Sequence, residues 1–117
     1  MAQHNKLGKA GEEAAVGFLR KKGHEILETN YRLSRDEIDI ISRLGDILVF
    51  IEVKTRSNYG GGFPELAVSK QKQKRIAKVA QHYIENYNFS GEIRYDIIAI
   101  VKGYPIHHIE DAFFPLN

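Results

Sequence analysis

Residues 37–56, EIDIISRLGDILVFIEVKTR, decide how this chain folds. Glu37 to Arg43 and Ile47 to Thr55 are rich in β-branched residues, and Leu44-Gly45-Asp46 between them is a turn signal. The stretch predicts two antiparallel strands joined by a tight turn. Along the second strand Val49, Ile51 and Val53 face one side, and Leu48 and Phe50 the other. Both sides are apolar through its middle, so the strand belongs at the centre of a sheet covered on two faces. At its end a carboxylate and an ammonium, Glu52 and Lys54, point the same way.

The flanks extend this pattern. Leu7 to Lys22 reads as a helix with Leu7, Gly11, Ala14, Ala15, Phe18 and Leu19 on one side. Arg20, Lys21 and Lys22 suit its negative end, and Gly23 supplies a stop. His24 to Arg32 is a third strand. Arg56 to Val68 carries three glycines and a proline and reads as a loop. Ser69 is an N-cap for a helix to about Asn86, with Ile76, Val79, Ala80, Tyr83, Ile84 and Tyr87 as its apolar stripe. Ile93 to Val101 is a strong strand, Lys102-Gly103 turns the chain, and Ile106 to Phe113 is a last, more exposed strand. Helix, three strands, helix and two strands make an α/β fold, a mixed sheet flanked by helices, in one domain over 1–117.

Composition removes several function classes. The 117 residues contain no cysteine, which excludes disulfides and thiolate metal sites and fits a cytoplasmic location. No apolar run approaches the ~20 residues of a membrane helix, and the N-terminus lacks a signal-peptide core. The net charge of +2 is too small to argue for nucleic acid from the total.

The chemistry gathers near Glu52. With Leu44 and Gly45 as a two-residue loop, Asp39 falls opposite Phe50, diagonal to Glu52 and on its face. A four-residue loop places Asp39 directly opposite Glu52, and a three-residue loop without a compensating bulge puts it on the wrong face. Two converging carboxylates need a cation, and oxygen ligands suit Mg²⁺ or Mn²⁺ with positions left for water and phosphate. The Val53 backbone carbonyl, between the two charged side chains, is a further candidate ligand. That set suits phosphodiester hydrolysis, with Lys54 balancing charge in the transition state. The same residues also read as a strand-end ion pair.

DEIDII and DILVFIEVKTR resemble the PD-(D/E)xK signature of restriction-endonuclease-like nucleases, whose αβββαβ core is the order read above. The chain resembles more closely the uncharacterised bacterial YraN family. The matches are GKAGEEAA at 8–15, NYR at 30–32, EIDII at 37–41, VFIEVKTR at 49–56, AVSKQKQKRI at 67–76 and YDIIAI at 95–100. Similarity to archaeal Holliday-junction resolvases is more distant. The resemblance implies a metal-dependent nuclease acting on DNA, structured or branched DNA included. It assigns Asp39 and Glu52 to the metal, Lys54 to catalysis, and Glu12 of the first helix to the metal as well. Asp36 stands where the family commonly has glycine. Fold does not guarantee catalysis, and the alternative expectation is a catalytically inactive nucleic-acid-binding module with the same fold.

Nucleic acid would lie along SKQKQKRIAK, residues 69–78, where Lys70, Lys72, Lys74, Arg75 and Lys78 meet no acid. Lys72 is the first choice for phosphate contact. Ser69, Gln71, Lys74, Arg75 and Arg56 extend the surface. YGGGF at 59–63 lacks the Gly-Lys-Ser/Thr of a P-loop, and reads as a flap with Tyr59 or Phe63 able to stack on a base, or as a surface loop. His107 and His108 are adjacent on a strand and face apart, which disfavours zinc. Asp96 reads as a satisfied polar group within its strand rather than as part of the site. Symmetric cutting of two strands would favour a homodimer.

Overall fold

A computed structural model describes residues 2–56 and 68–115, with side chains from residue 8 onward. The YGGGF segment lies outside the described residues. The elements are α1 (Ala2–Lys21), β1 (Glu25–Leu33), β2 (Asp36–Leu44), β3 (Ile47–Arg56), α2 (Lys70–Asn86), β4 (Glu92–Val101) and β5 (His107–Ile109). They follow the expected order, and the last strand is shorter than the sequence predicts.

The sheet runs β1-β2-β3-β4-β5, with β3 at its centre. β1, β2 and β3 form an antiparallel meander, α2 carries the chain to β4 parallel with β3, and β5 returns antiparallel to β4. This mixed sheet with two helices is consistent with a restriction-endonuclease-like core.

Alternation along β3 divides the core as its sequence predicts. Val49 and Ile51 pack with Ile40 and Ile98 beneath Ala15 and Leu19 of α1. Leu48 and Phe50 pack with Ile41, Tyr95 and Ile97 beneath Ile76, Val79, Ala80 and Tyr83 of α2. α2 begins at its expected cap, the Ser69 hydroxyl accepting the Lys72 N–H at 3.1 Å. α1 approaches β3 closely at Gly11, where a Cβ would overlap the Thr55 Cγ2.

The hairpin register differs from the two-residue Leu44-Gly45 loop. Leu44 pairs with Ile47, so the loop is Gly45-Asp46, and Gly45 takes the left-handed φ of 60° at its first position. Leu44 is held in the ladder because it and Ile47 both pack toward the α1-side core. The pairing Ile40 with Ile51 then puts Asp39 across from Glu52 rather than Phe50. The shift is two residues, so parity and face are preserved.

Candidate active site

β2 and β3 separate just beyond Ile40 opposite Ile51, the last pair of their ladder. Ile40 belongs to the α1-side core and Ile38 to the α2-side core, so the alternation of β2 slips at Asp39. In β1, Asn30 lies between the partners of those two isoleucines and has φ 53°, a left-handed value that asparagine tolerates better than most residues. The two strands thus change face together beside the opening.

Asp39 occupies the opening. Its Oδ2 accepts the Val53 N–H at 2.7 Å, in place of a ladder bond. Its carboxyl also lies within hydrogen-bonding reach of Glu52. Burial, first, and the Glu52 charge, second, push Asp39 up to about 8, against the lowering effect of the Val53 N–H; Glu12 adds to the rise. Near neutral pH the carboxyl pair therefore holds a proton that two separate carboxylates would release.

Glu52 faces α2, as the Leu48 and Phe50 alternation requires. Its side chain is 11% exposed, and its Oε1 meets the Lys72 Nζ at 3.2 Å. Lys54 follows two residues later on the same side and is half-buried. Glu12 lies on the α1 side near Asn30; burial raises its pKa against the lowering effect of the Asn30 amide. It borders a cleft of about 380 Å³ with Lys9, Glu13, Arg20, Thr29 and Asn30. The structure thus joins Asp39, Glu52 and Val53 in one contact set, adds Lys72, and leaves Glu12 within electrostatic reach from the other face. Among the described residues no group of three or more acidic or histidine side chains closes around a shared metal position.

The fit to a cation rests on two carboxylates. They face each other, they are partly desolvated, and an ammonium already sits on one of them. That is a hard-oxygen donor set of the kind Mg²⁺ or Mn²⁺ takes when it keeps water and phosphate in its remaining positions.

The remaining expected binding residues lie on the α2 surface. Ser69, Gln71, Lys74 and Arg75 are exposed there, as are Lys70 and Lys78. Arg56 is exposed at the end of β3 and donates to the Thr55 carbonyl at 2.8 Å. Sequence reasoning missed Asn30, and it missed that Lys72, chosen there for phosphate contact, reaches Glu52. Asn30 was hidden in what reads as an uninterrupted strand, and the asparagine of NYR is its only local signal. The reach of Lys72 to Glu52 depends on the crossover and has no local signal.

Asp96 stands apart on the α1-facing side of β4 and is fully buried. Arg94 donates to both its oxygens at 2.9 Å, His108 Nε2 lies 2.8 Å away, and the Asp111 N–H donates at 3.0 Å. Burial alone would raise its pKa, but His108, Arg94 and the Asp111 N–H together hold it below the usual value. It is a satisfied polar group, as its sequence context predicts. Nearby, buried His24 meets the Ser42 hydroxyl at 2.8 Å.

Residues 11–100 match the model of the uncharacterised protein family UPF0102. A UPF0102 protein from Christiangramia forsetii is 49% identical over 117 residues, covering 97% of this chain and 98% of its own. Relatives from Flavobacterium psychrophilum and Bacteroides thetaiotaomicron, both also UPF0102 proteins, are 46% and 42% identical. These alignments cover 97% and 98% of this chain, and 98% of each relative.

Proposed function

This chain belongs to the uncharacterised protein family UPF0102, and from that premise we propose that it is a metal-dependent nuclease hydrolysing phosphodiester bonds in DNA, structured or branched forms included. The observation that carries the reading is the Asp39–Glu52 carboxyl pair, set where the strands part and anchored by the Val53 N–H. Strand ends on a rigid sheet hold such groups in fixed geometry, which a reacting phosphate requires.

In this reading Asp39 and Glu52 hold Mg²⁺ or Mn²⁺, with the Val53 carbonyl as a further oxygen donor. When bound, the metal polarises the phosphate and acidifies water beside it. Holding the metal would require Asp39 as the carboxylate, its proton passing to solvent. Lys54, on the Glu52 side, orients the attacking water or balances charge building on the phosphate oxygens. Glu12 contributes charge from the α1 side. Lys74 and Arg75, with Ser69 and Gln71 at the start of α2 and Arg56 at the end of β3, take the flanking backbone.

The test is a cleavage screen with Mg²⁺ and Mn²⁺ on duplex, single-stranded, flap and four-way DNA and on RNA, with Glu52→Ala as control. Cleavage that the control loses is the expected result. No cleavage of any substrate with either metal sinks the enzyme reading.

One observation favours a second reading, a nucleic-acid-binding module without turnover. Lys72 already neutralises Glu52 with no metal required. Salt-dependent binding without cleavage would select that reading.

A further inference from the structure

We infer that Lys72 is a resident counter-cation, displaced from Glu52 when a divalent metal loads and then free to take a phosphate of the bound strand. The inference rests on the metal-dependent reading above. It makes metal binding and nucleic-acid binding favour each other through one side chain.

Glu52 presents the starting point. Its carboxylate is nearly covered, at 11% exposure, and a buried carboxylate without a cation is costly. It lies against the Asp39 carboxyl, which does not supply that cation. The Lys72 ammonium, 3.2 Å from Oε1, does. A dication binding between Asp39 and Glu52 would draw on the same carboxylate charge that holds Lys72. Two cations competing for one carboxylate leave Lys72 without its reason to stay.

The lysine is built to move while its backbone is not. Its N–H is held by the Ser69 hydroxyl at the first turn of α2. Its side chain is half-exposed, against 11% for Glu52, so rotation costs little desolvation on the lysine side. The stem is long and flexible and the head is a point charge, which can reach either of two nearby oxygens. Lys72 shares the exposed surface of α2 with Lys74 and Arg75, so a strand lying along that surface would bring phosphate oxygens near the released ammonium. Lys70, Lys74, Arg75 and Lys78 do not meet Glu52 in a described ion pair, so the exchange belongs to Lys72 alone among the α2 cations described.

Linkage makes the effect measurable without catalysis. A residue that must be displaced weakens metal binding; if phosphate takes that residue, metal and nucleic acid raise each other's affinity by one common factor. The measurement is Mn²⁺ titration by calorimetry into the whole protein and its Lys72→Gln, Lys72→Arg and Lys78→Gln variants. Affinity for a labelled duplex is then read with and without Ca²⁺, used as a dication for binding alone. Lys72→Gln is expected to bind Mn²⁺ roughly fivefold more tightly than wild type, the scale of one partly exposed ion pair. Lys72→Arg should restore the weaker binding. Lys78→Gln should leave Mn²⁺ affinity unchanged, which separates the pair from general loss of positive charge. Ca²⁺ should improve duplex affinity less in Lys72→Gln than in wild type.

Equal or weaker Mn²⁺ binding by Lys72→Gln overturns this inference and leaves the metal reading intact. Absence of Mn²⁺ binding in wild type and in every variant overturns both.

Discussion

The Asp39 carboxylate takes the Val53 N–H at 2.7 Å, one step beyond the last backbone pair of their two strands. A ladder bond has been exchanged for a bond to an ionisable side chain. The strands can part there without leaving that donor unpaired. The same step brings Asp39 against Glu52, so the opening in the sheet and the crowding of the carboxyls have one cause.

That crowding predicts an unusual pH dependence for the metal-free protein. Asp39 titrates near 3.8 when unfolded and near 8 when folded, so between those values the folded state binds the extra proton. Stability is then largest below the unfolded value and falls as pH rises toward about 8. Asp39→Asn keeps an acceptor for the Val53 N–H but removes the titration. In EDTA at pH 8 it should be more stable than wild type by roughly 1–3 kcal/mol, a figure reduced for solvent screening. Urea unfolding from pH 5 to pH 9 checks this. A wild-type slope that Asp39→Asn leaves unchanged would locate the effect elsewhere.

Activity should respond to the same residues in the opposite sense. Asp39→Ala, Glu52→Ala and Lys54→Ala are each expected to lower metal-dependent cleavage by roughly 10²-fold or more, the scale of one lost charge-stabilising group. Circular dichroism would check that each variant remains folded. Retention of wild-type cleavage by Glu52→Ala would remove the carboxyl pair from the chemistry.

The buried pair on β4 should matter for stability. Asp96→Ala leaves Arg94 without its bidentate partner and His108 without its acceptor. Breaking one side of a buried ion pair costs about 3–5 kcal/mol. Because the Asp96 pKa is lowered in the fold, its contribution is complete above the unfolded value and is lost as pH falls through the folded one. The gap between wild type and Asp96→Ala in chemical unfolding should therefore narrow at strongly acid pH.

Much of this architecture is legible because it is written in local period. Val49, Ile51, Leu48 and Phe50 alternate cleanly, which places β3 between two covered faces. Glu52 and Lys54 inherit their common side from the same alternation. The hairpin register was less legible, since Leu44-Gly45 and Gly45-Asp46 loops preserve the same faces. What separates them is the packing of Leu44 and Ile47 against the α1 side, a tertiary effect. The left-handed Asn30 leaves no break in the run of strand formers around it. The Lys72–Glu52 pair joins residues from two elements that meet only after the crossover.

The basic surface of α2 can be counted through salt. Each phosphate neutralised on duplex DNA contributes about 0.9 to the slope of log affinity against log salt. Lys74→Gln and Arg75→Gln are each expected to reduce that slope by up to that amount, with little change in fold stability because both side chains are exposed. Fluorescence anisotropy across a salt series, without metal, measures it. An unchanged slope in the double variant would remove this face of α2 from the nucleic-acid path.

The contact between α1 and β3 gives the last prediction, and it reaches the site from outside it. Gly11 packs against Thr55, and an added Cβ would overlap the Thr55 Cγ2. Gly11→Ala gains helix propensity of about 1 kcal/mol. It also forces α1 and β3 apart, which costs about 1–3 kcal/mol where packing cannot yield. The neighbouring Glu12 would move with the helix, and with it the charge that Asp39 feels from the α1 side. Thr55→Ala removes the clashing methyl. The pair Gly11→Ala, Thr55→Ala should therefore recover part of the stability lost by Gly11→Ala, an interaction visible in a double-mutant cycle by urea unfolding. Strict additivity of the two substitutions would mean that α1 does not depend on glycine at this contact.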